Sequence, residues 1–349
     1  MIFRQLFDDV SCTYTYLLAS GPGGEALIID PIEDKTDRYL KLVEELDVRL
    51  VKALDTHVHA DHISGLKRLR DETRCITVMG RESKVDVVSM RVGDGEAIEI
   101  GGVRLTALHT PGHTDDSYCF LMDDRVFTGD TLLVRGIGRT DFQNGDARAA
   151  YASITEKLLT LPDATPVYPG HDYKGDTVST IGEERQFNPR LQVASAEEYA
   201  AIMEALDLAD PKMMDMAVPA NLAIGLEQGA PELAALSLEA ADARSRVDDP
   251  SVAFVDLREA GERRRDGVIP GSIHLPYGVL GDALKAGSPF RALIDRAAGT
   301  EVVFYCSYGE RSALALETAR EAGLANVRHL AGGLDAWARA GGLREPALD

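Results

Sequence analysis

Cysteine is scarce in this chain of 349 residues: there are four, Cys12, Cys75, Cys119 and Cys306, and none forms a C-x-x-C pair. That excludes a zinc ribbon and argues against a disulfide framework. Cys12, Cys75 and Cys119 stand in strand-like apolar segments and read as small buried hydrophobes. Basic residues are also short, with 37 Lys and Arg against 57 Asp and Glu, a net charge of −20. A surface that acidic repels nucleic acid and anionic membrane, so neither is an expected partner, and an anionic substrate needs a local basic pocket. Long apolar runs are missing too. The opening "MIFRQLFDDVSCTYTYLL" has no basic start leading into an apolar core, and no stretch approaches the ~20 apolar residues of a membrane span. The chain therefore reads as soluble and cytoplasmic. It shows no internal repeat and no low-complexity segment.

What is there suits two globular domains. Hydrophobic residues make up 45% and charged residues 27%, as in ordinary globular proteins, and the length exceeds one small core. The first half alternates short strands and turns: "YTYLLAS" and "EALIID" flank "GPGG" as a hairpin, a helix follows near 34–46, and "LVKALDT", "VRLTALH", "SYCFLMD" and "RVFTGD" read as strands. Locally paired strands with helices between some of them predict two sheets with helices outside. After "MAVPANLAIG" (216–225) the pattern becomes βαβ, with strands "VAFVDLR", "EVVFYC" and "VRHLA" and helices between them, which predicts a parallel sheet. The boundary is expected between a domain of 1–230 and one of 231–349.

The densest chemistry lies at 57–62, "HVHADH". His57, His59, Asp61 and His62 crowd a loop after an apolar strand, in a chain with only eight histidines. His113 in "TPGHTDDS", Asp130 in "FTGDTLL" and His171 in "YPGHDYKG" also sit at strand ends. Imidazole with carboxylate suits zinc, iron or manganese; without thiolates, no iron–sulfur cluster fits.

This H-x-H-x-D-H pattern, with the later His, Asp and His in order, resembles the metallo-β-lactamase superfamily over about 1–225. The resemblance implies an αβ/βα sandwich. In hydrolytic members such as glyoxalase II, the counterparts of all seven residues hold two metals bridged by the counterpart of Asp130. The segments "RGIGRTDFQNGDA", "YPGHDYKGDTVSTIGEERQFNPRL" and "VPAN" are similar to the persulfide dioxygenase branch, which oxidises glutathione persulfide with O₂ to sulfite and glutathione. That resemblance implies one Fe(II) per chain on His57, His113 and Asp130, a face with open positions. His59, Asp61, His62 and His171 then orient the ligands. The similarity to glyoxalase II implies glutathione contacts at Arg139 and Tyr173; Arg190 in "NPRL" is a third candidate, with an unpaired surface Arg as the alternative. Glyoxalase II carries an aromatic where this chain has Asp141, a departure from the hydrolase pattern.

A second motif, "CSYGERS" (306–312), follows a strand and precedes a helix. Loop amides and the helix N-terminus can face Cys306 Sγ and favour a thiolate, with Arg311 adding charge. With "FVDLRE", "GVIPGSIHLP" and "GGLDAW", region 237–345 resembles a rhodanese domain. The resemblance implies that Cys306 takes the outer sulfur of thiosulfate, with Arg258 and Arg311 as structural or substrate-anion contacts. "RRR" at 263–265 reads as a solvated helix face, "KMMDM" at 212–216 as core filling, Trp337 as packing for the last helix, and His274 and His329 as structural.

The two resemblances together imply a persulfide dioxygenase–rhodanese fusion. Its substrates would be glutathione persulfide, glutathione, thiosulfate or sulfite, and O₂. Tethering would raise the effective concentration of the shared intermediate. A homo-oligomer is compatible with the sequence. The alternatives are a dinuclear glyoxalase II-type thioester hydrolase with a rhodanese appended, and a sulfur carrier or sensor built on Cys306.

Overall fold

The computed structural model describes residues 1–206, 208–209, 211, 213–228, 231–297 and 299–347. The chain forms two compact units: Met1–Asp86 with Arg91–Ile224, and Gly225–Asp349 with the short stretch Val87–Met90. Residue 230, where the sequence placed the boundary, lies outside the described residues.

The first unit carries two six-stranded sheets. One runs β1 (Ile2–Asp8), β2 (Thr13–Ala19), β3 (Glu25–Ile29), β4 (Arg49–Leu54), β5 (Ile76–Gly80), β6 (Met90–Val92) in sequence order. The other comprises β7 (Ala97–Ile100), β8 (Val103–His109), β9 (Tyr118–Leu121), β10 (Val126–Gly129), β11 (Pro166–Pro169) and β12 (Ser179–Thr180). Hairpins pair β1 to β3 and β7 to β10 antiparallel, whereas β3–β4, β4–β5 and β10–β11 are parallel. The sheets meet through rings: Tyr16 of β2 packs on Phe127 and Tyr168 with centroids 5.0 and 5.7 Å apart, and its hydroxyl donates to the Pro169 carbonyl at 2.6 Å. Outside the second sheet, Ile154, Leu158, Tyr199 and Met203 cover Cys119, Val126 and Val167. This is the expected sandwich with helices outside.

The second unit holds the expected parallel sheet, ordered β13 (Ser237–Leu238), β17 (Val327–Leu330), β16 (Glu301–Tyr305), β14 (Val252–Asp256), β15 (Ile273–His274). Alternation along β16 sends Val302 and Phe304 into one core and Val303 and Tyr305 into the other. A strand buried on both faces reads as a continuous apolar run, which is why "EVVFYC" was legible. Trp337 packs the last helix, Gly333–Arg339, against Phe254.

Three local readings need correction. Cys12 is only half-buried, in a left-handed turn (φ 61°) before β2. In "KMMDM", Lys212 lies outside the described residues, Met213 lines a cavity and Met216 is exposed, so the run does not fill a core. Within "RRR", Arg263 turns inward to Asp256 at 3.2 Å, while Arg264 stays exposed. Among the described residues no helix is long and apolar enough to cross a membrane.

Candidate metal centre and cysteine loop

Four strand ends deliver the ligand-type residues to one place. The histidine loop follows β4, His113 follows β8, Asp130 follows β10 directly, and His171 comes just after β11. Two glycines permit the approach. A Cβ on Gly138 would stand 2.4 Å from the Asp130 carbonyl and 2.9 Å from His113 Nδ1, and one on Gly170 would meet Asp130 Oδ1 at 2.7 Å.

His57, His113 and Asp130 each offer a ligand atom, all within 4.8 Å of one another. Hydrogen bonding sets which nitrogens they present. Thr56 Oγ1 donates its only hydrogen to Asp30 Oδ2 at 3.0 Å. It must therefore accept from His57 Nδ1–H, 2.9 Å away, which leaves His57 Nε2 bare. His113 Nδ1–H likewise donates to the Arg139 carbonyl at 2.7 Å, which leaves its Nε2 bare, 3.6 Å from Asp130 Oδ2. Burial, and then the like charge of His59, hold the His57 imidazole far below its usual range, so it is neutral as a ligand must be. Burial would raise the Asp130 carboxyl; the charge and hydrogen bond of His171 hold it well below the ordinary range.

His171 is committed elsewhere. Its Nδ1 meets Asp130 Oδ1 at 2.6 Å and its Nε2 meets Asp61 Oδ2 at 3.0 Å and Thr13 Oγ1 at 3.1 Å. Burial opposes its charge, but the two carboxylates raise it well above the usual imidazole range. Asp61 also accepts from His62 Nδ1 at 2.9 Å. His59 Nε2–H donates to buried Asp30 at 3.2 Å; burial pulls this imidazole down, and the charge of Asp30 outweighs it and lifts it to about 9. His59, Asp61 and His62 also form a metal-capable group, with His59 Nδ1 and His62 Nε2 buried and without hydrogen-bond partners.

A cavity of about 760 Å³, within the usual size of ligand pockets, opens beside this centre and is lined by His113, Asp130, His171, Tyr173, Arg139 and Arg190 among others. Tyr173 is largely exposed, its ring stacked on His171 at 6.0 Å. Arg139 is bound bidentately to Asp141 at 2.6 Å, lies over the Phe142 ring at 4.3 Å, and donates to the Ala209 and Leu208 carbonyls, which also line the cavity. Arg190 donates to the Ile137 carbonyl at 2.5 Å. Lys174, which the sequence reading passed over, also lines the cavity and has no carboxylate partner among the described residues.

In the second unit Cys306 is fully buried at the end of β16. The Gly309 N–H donates to Sγ at 3.2 Å, and the Ser312 hydroxyl stands at 3.8 Å. Of the expected amide cradle, that is the one N–H bonded to sulfur among the described residues. Gly309 itself has φ 91°, which lets the loop turn into the helix Glu310–Glu321. For Arg311 the sequence left a structural and a substrate-anion role open. It lies wholly inside the protein, its guanidinium paired with both oxygens of Glu262 at 2.7 and 2.6 Å. Arg258 is similarly buried against Asp256. Both guanidiniums face buried carboxylates, and Arg311 also reaches Ser307 Oγ of the cysteine loop at 3.4 Å.

The chain matches the family model of the metallo-beta-lactamase superfamily over residues 10–86 and 82–171, and that of the rhodanese-like domain over 239–340. The human mitochondrial persulfide dioxygenase ETHE1 is 45% identical over 230 residues, which span 65% of this chain and 90% of the human protein. The chain belongs to the ETHE1 persulfide dioxygenase family. The crystal structure of ETHE1 from Myxococcus xanthus, at 52% identity, superposes with a TM-score of 0.63 over 64% of this chain and 99% of that one. These ETHE1 relatives thus match about two thirds of this chain. A metallo-beta-lactamase from Staphylococcus aureus, 23% identical, shares the fold over 95% of this chain and 98% of its own, with a TM-score of 0.59.

Proposed function

We propose that the first unit oxidises glutathione persulfide with O₂ to sulfite and glutathione at a single iron held by His57, His113 and Asp130. We propose further that Cys306 moves sulfur between thiosulfate and glutathione. The observation that carries the first part is the pair of bare Nε2 atoms beside Asp130, in a chain of the ETHE1 family. Two imidazoles and one carboxylate are the donor set of non-haem iron oxygenases. Iron in such a set supplies the one-electron chemistry that O₂ requires. The protein binds and aims the substrate: Arg139, Tyr173, Arg190 and Lys174 line the cavity and suit the carboxylates of a tripeptide in an otherwise acidic chain. One persulfide, one O₂ and one water balance to sulfite and glutathione.

At Cys306 the thiolate attacks the outer sulfur of thiosulfate, the S–S bond breaks and sulfite leaves with the electron pair. Glutathione thiolate then takes the outer sulfur from the Cys306 persulfide, which restores the thiolate and yields glutathione persulfide for the iron site.

A second reading, a dinuclear thioester hydrolase, is favoured by the buried, partnerless His59 Nδ1 and His62 Nε2 beside Asp61. Against it, Asp61 and His171 are closed on each other and on His62 and Asp130. The test is an oxygen-electrode trace of the full chain and of Cys306→Ser. The substitution should abolish uptake driven by thiosulfate plus glutathione and spare uptake driven by preformed glutathione persulfide. Loss of both in a protein that still binds iron would end the two-step division.

A further inference from the structure

The loop from Asp55 to Ile63 carries His57, His59, Asp61 and His62 yet belongs to no helix or strand. Among the described residues, backbone partners reach only its ends, where the Tyr118 N–H donates to the Thr56 carbonyl at 2.8 Å and the Glu33 N–H to the Ile63 carbonyl at 2.9 Å, so the polar groups between them need other partners. Side chains from distant parts of the sequence supply them. Asp30 accepts the Thr56 N–H at 2.7 Å. Gln143 Nε2 donates to the carbonyl of Val58, between the first two histidines, at 2.8 Å. Asn221 Nδ2 donates to the carbonyls of both His59 and His62 at 2.9 Å, and its Oδ1 accepts the Ser64 N–H at 2.8 Å. One buried amide thus spends both its donors and its acceptor on a single loop.

Both amides are themselves held. Asn221 comes from the last turn of the helix Met214–Leu222. Beyond it, the Asp86 N–H bonds the Leu222 carbonyl and buried Arg70 donates to the Ile224 carbonyl at 2.7 Å. Gln143 and Asn144 take left-handed conformations, φ 51° and 58°, which are unfavourable for residues with a Cβ and persist only where the surroundings enforce them.

We infer that Gln143 and Asn221 are positioning residues for the metal-binding face. They hold the main chain of the histidine loop, so that His57 Nε2 already stands opposite His113 and Asp130 before an ion arrives. Neither lines the cavity beside the centre, so their effect falls on metal affinity and on turnover rather than on substrate binding. The inference rests on His57 being a metal ligand.

The test is titration of the apo full-length protein with Co(II), read by its ligand-field absorption, for the parent, Asn221→Asp, Gln143→Leu and His57→Ala. Asn221→Asp keeps the shape and the acceptor for Ser64 but faces two carbonyls with a carboxylate. Gln143→Leu removes one donor from a half-buried position. Partners that orient metal ligands are worth about 10–100-fold in affinity, so each variant should bind Co(II) at least ~10-fold more weakly and with a shifted spectrum. In the iron-loaded enzyme kcat should fall while KM for glutathione persulfide holds. A lower melting temperature with parental Co(II) affinity and spectrum would show an architectural role only and overturn the inference. Should Asn221→Asp fail to fold, Gln143→Leu decides alone. His57→Ala separates the premises: if it binds Co(II) like the parent, the ligand assignment fails rather than the clamp.

Discussion

Replacing Glu262 by Gln should unfold the second unit long before the first. The carboxylate is fully buried and accepts four hydrogen bonds: two from Arg311, one from Ser307 Oγ at 2.6 Å and one from the Glu259 N–H at 2.9 Å. Burial alone would raise this carboxyl; the charge of Arg311 and the bonds from Arg311 and Ser307 pull it from 4.5 down to about 2. At ~1.4 kcal/mol per pH unit, that difference corresponds to about 3 kcal/mol favouring the charged form. Removing one partner of a buried pair strands the other charge, at about 3–5 kcal/mol, so both routes converge. A domain of about 100 residues loses ~4–8 °C per kcal/mol, so its melting point should fall by roughly 12–25 °C. The assay is urea unfolding followed by fluorescence of Trp337, the only tryptophan of the chain, buried in that unit with Nε1–H donating to the Leu343 carbonyl. The folded carboxyl titrates below the unfolded one, so its contribution is complete above about 4.5 and fades as pH falls towards about 2. The gap between parent and variant should close over that window. Arg311→Met added to Glu262→Gln should recover part of the loss, because no unpaired guanidinium remains. A destabilisation under about 1 kcal/mol, the scale of an exposed pair, would refute the reasoning.

Alanine at His57, His113 or Asp130 should remove iron and O₂ uptake together, measured by elemental analysis beside the oxygen electrode. Arg139→Ala should raise KM for glutathione persulfide more than it lowers kcat, because it removes binding common to ground and transition states. An unchanged KM would reassign Arg139 to holding the Leu208–Ala209 wall alone.

The sequence was most legible where chemistry is written locally. "HVHADH" places four ligand-type groups within six residues, and β16 announces itself as an unbroken apolar run. Partnerships across the chain were not legible. Asp30 bonds Thr56 and His59 from the end of β3, and no spacing in the sequence ties it to them. Arg311 looked like an anion contact because its partner, Glu262, lies 49 residues earlier in a helix that reads as solvated from "ERRRD". Strand β1 was missed because "IFRQLFD" at the sheet edge does not alternate cleanly between buried and exposed. The His113 tautomer depends on a main-chain carbonyl, that of Arg139, which carries no side-chain signature.

The central claim is tested most directly by measuring metal content and O₂ consumption on the same preparation of the anaerobically purified full chain, with glutathione persulfide as substrate. The expected result is about one iron per chain, with one O₂ consumed for each sulfite formed. Two zinc ions per chain, hydrolysis of glutathione thioesters that tracks zinc, and no O₂ uptake would contradict it.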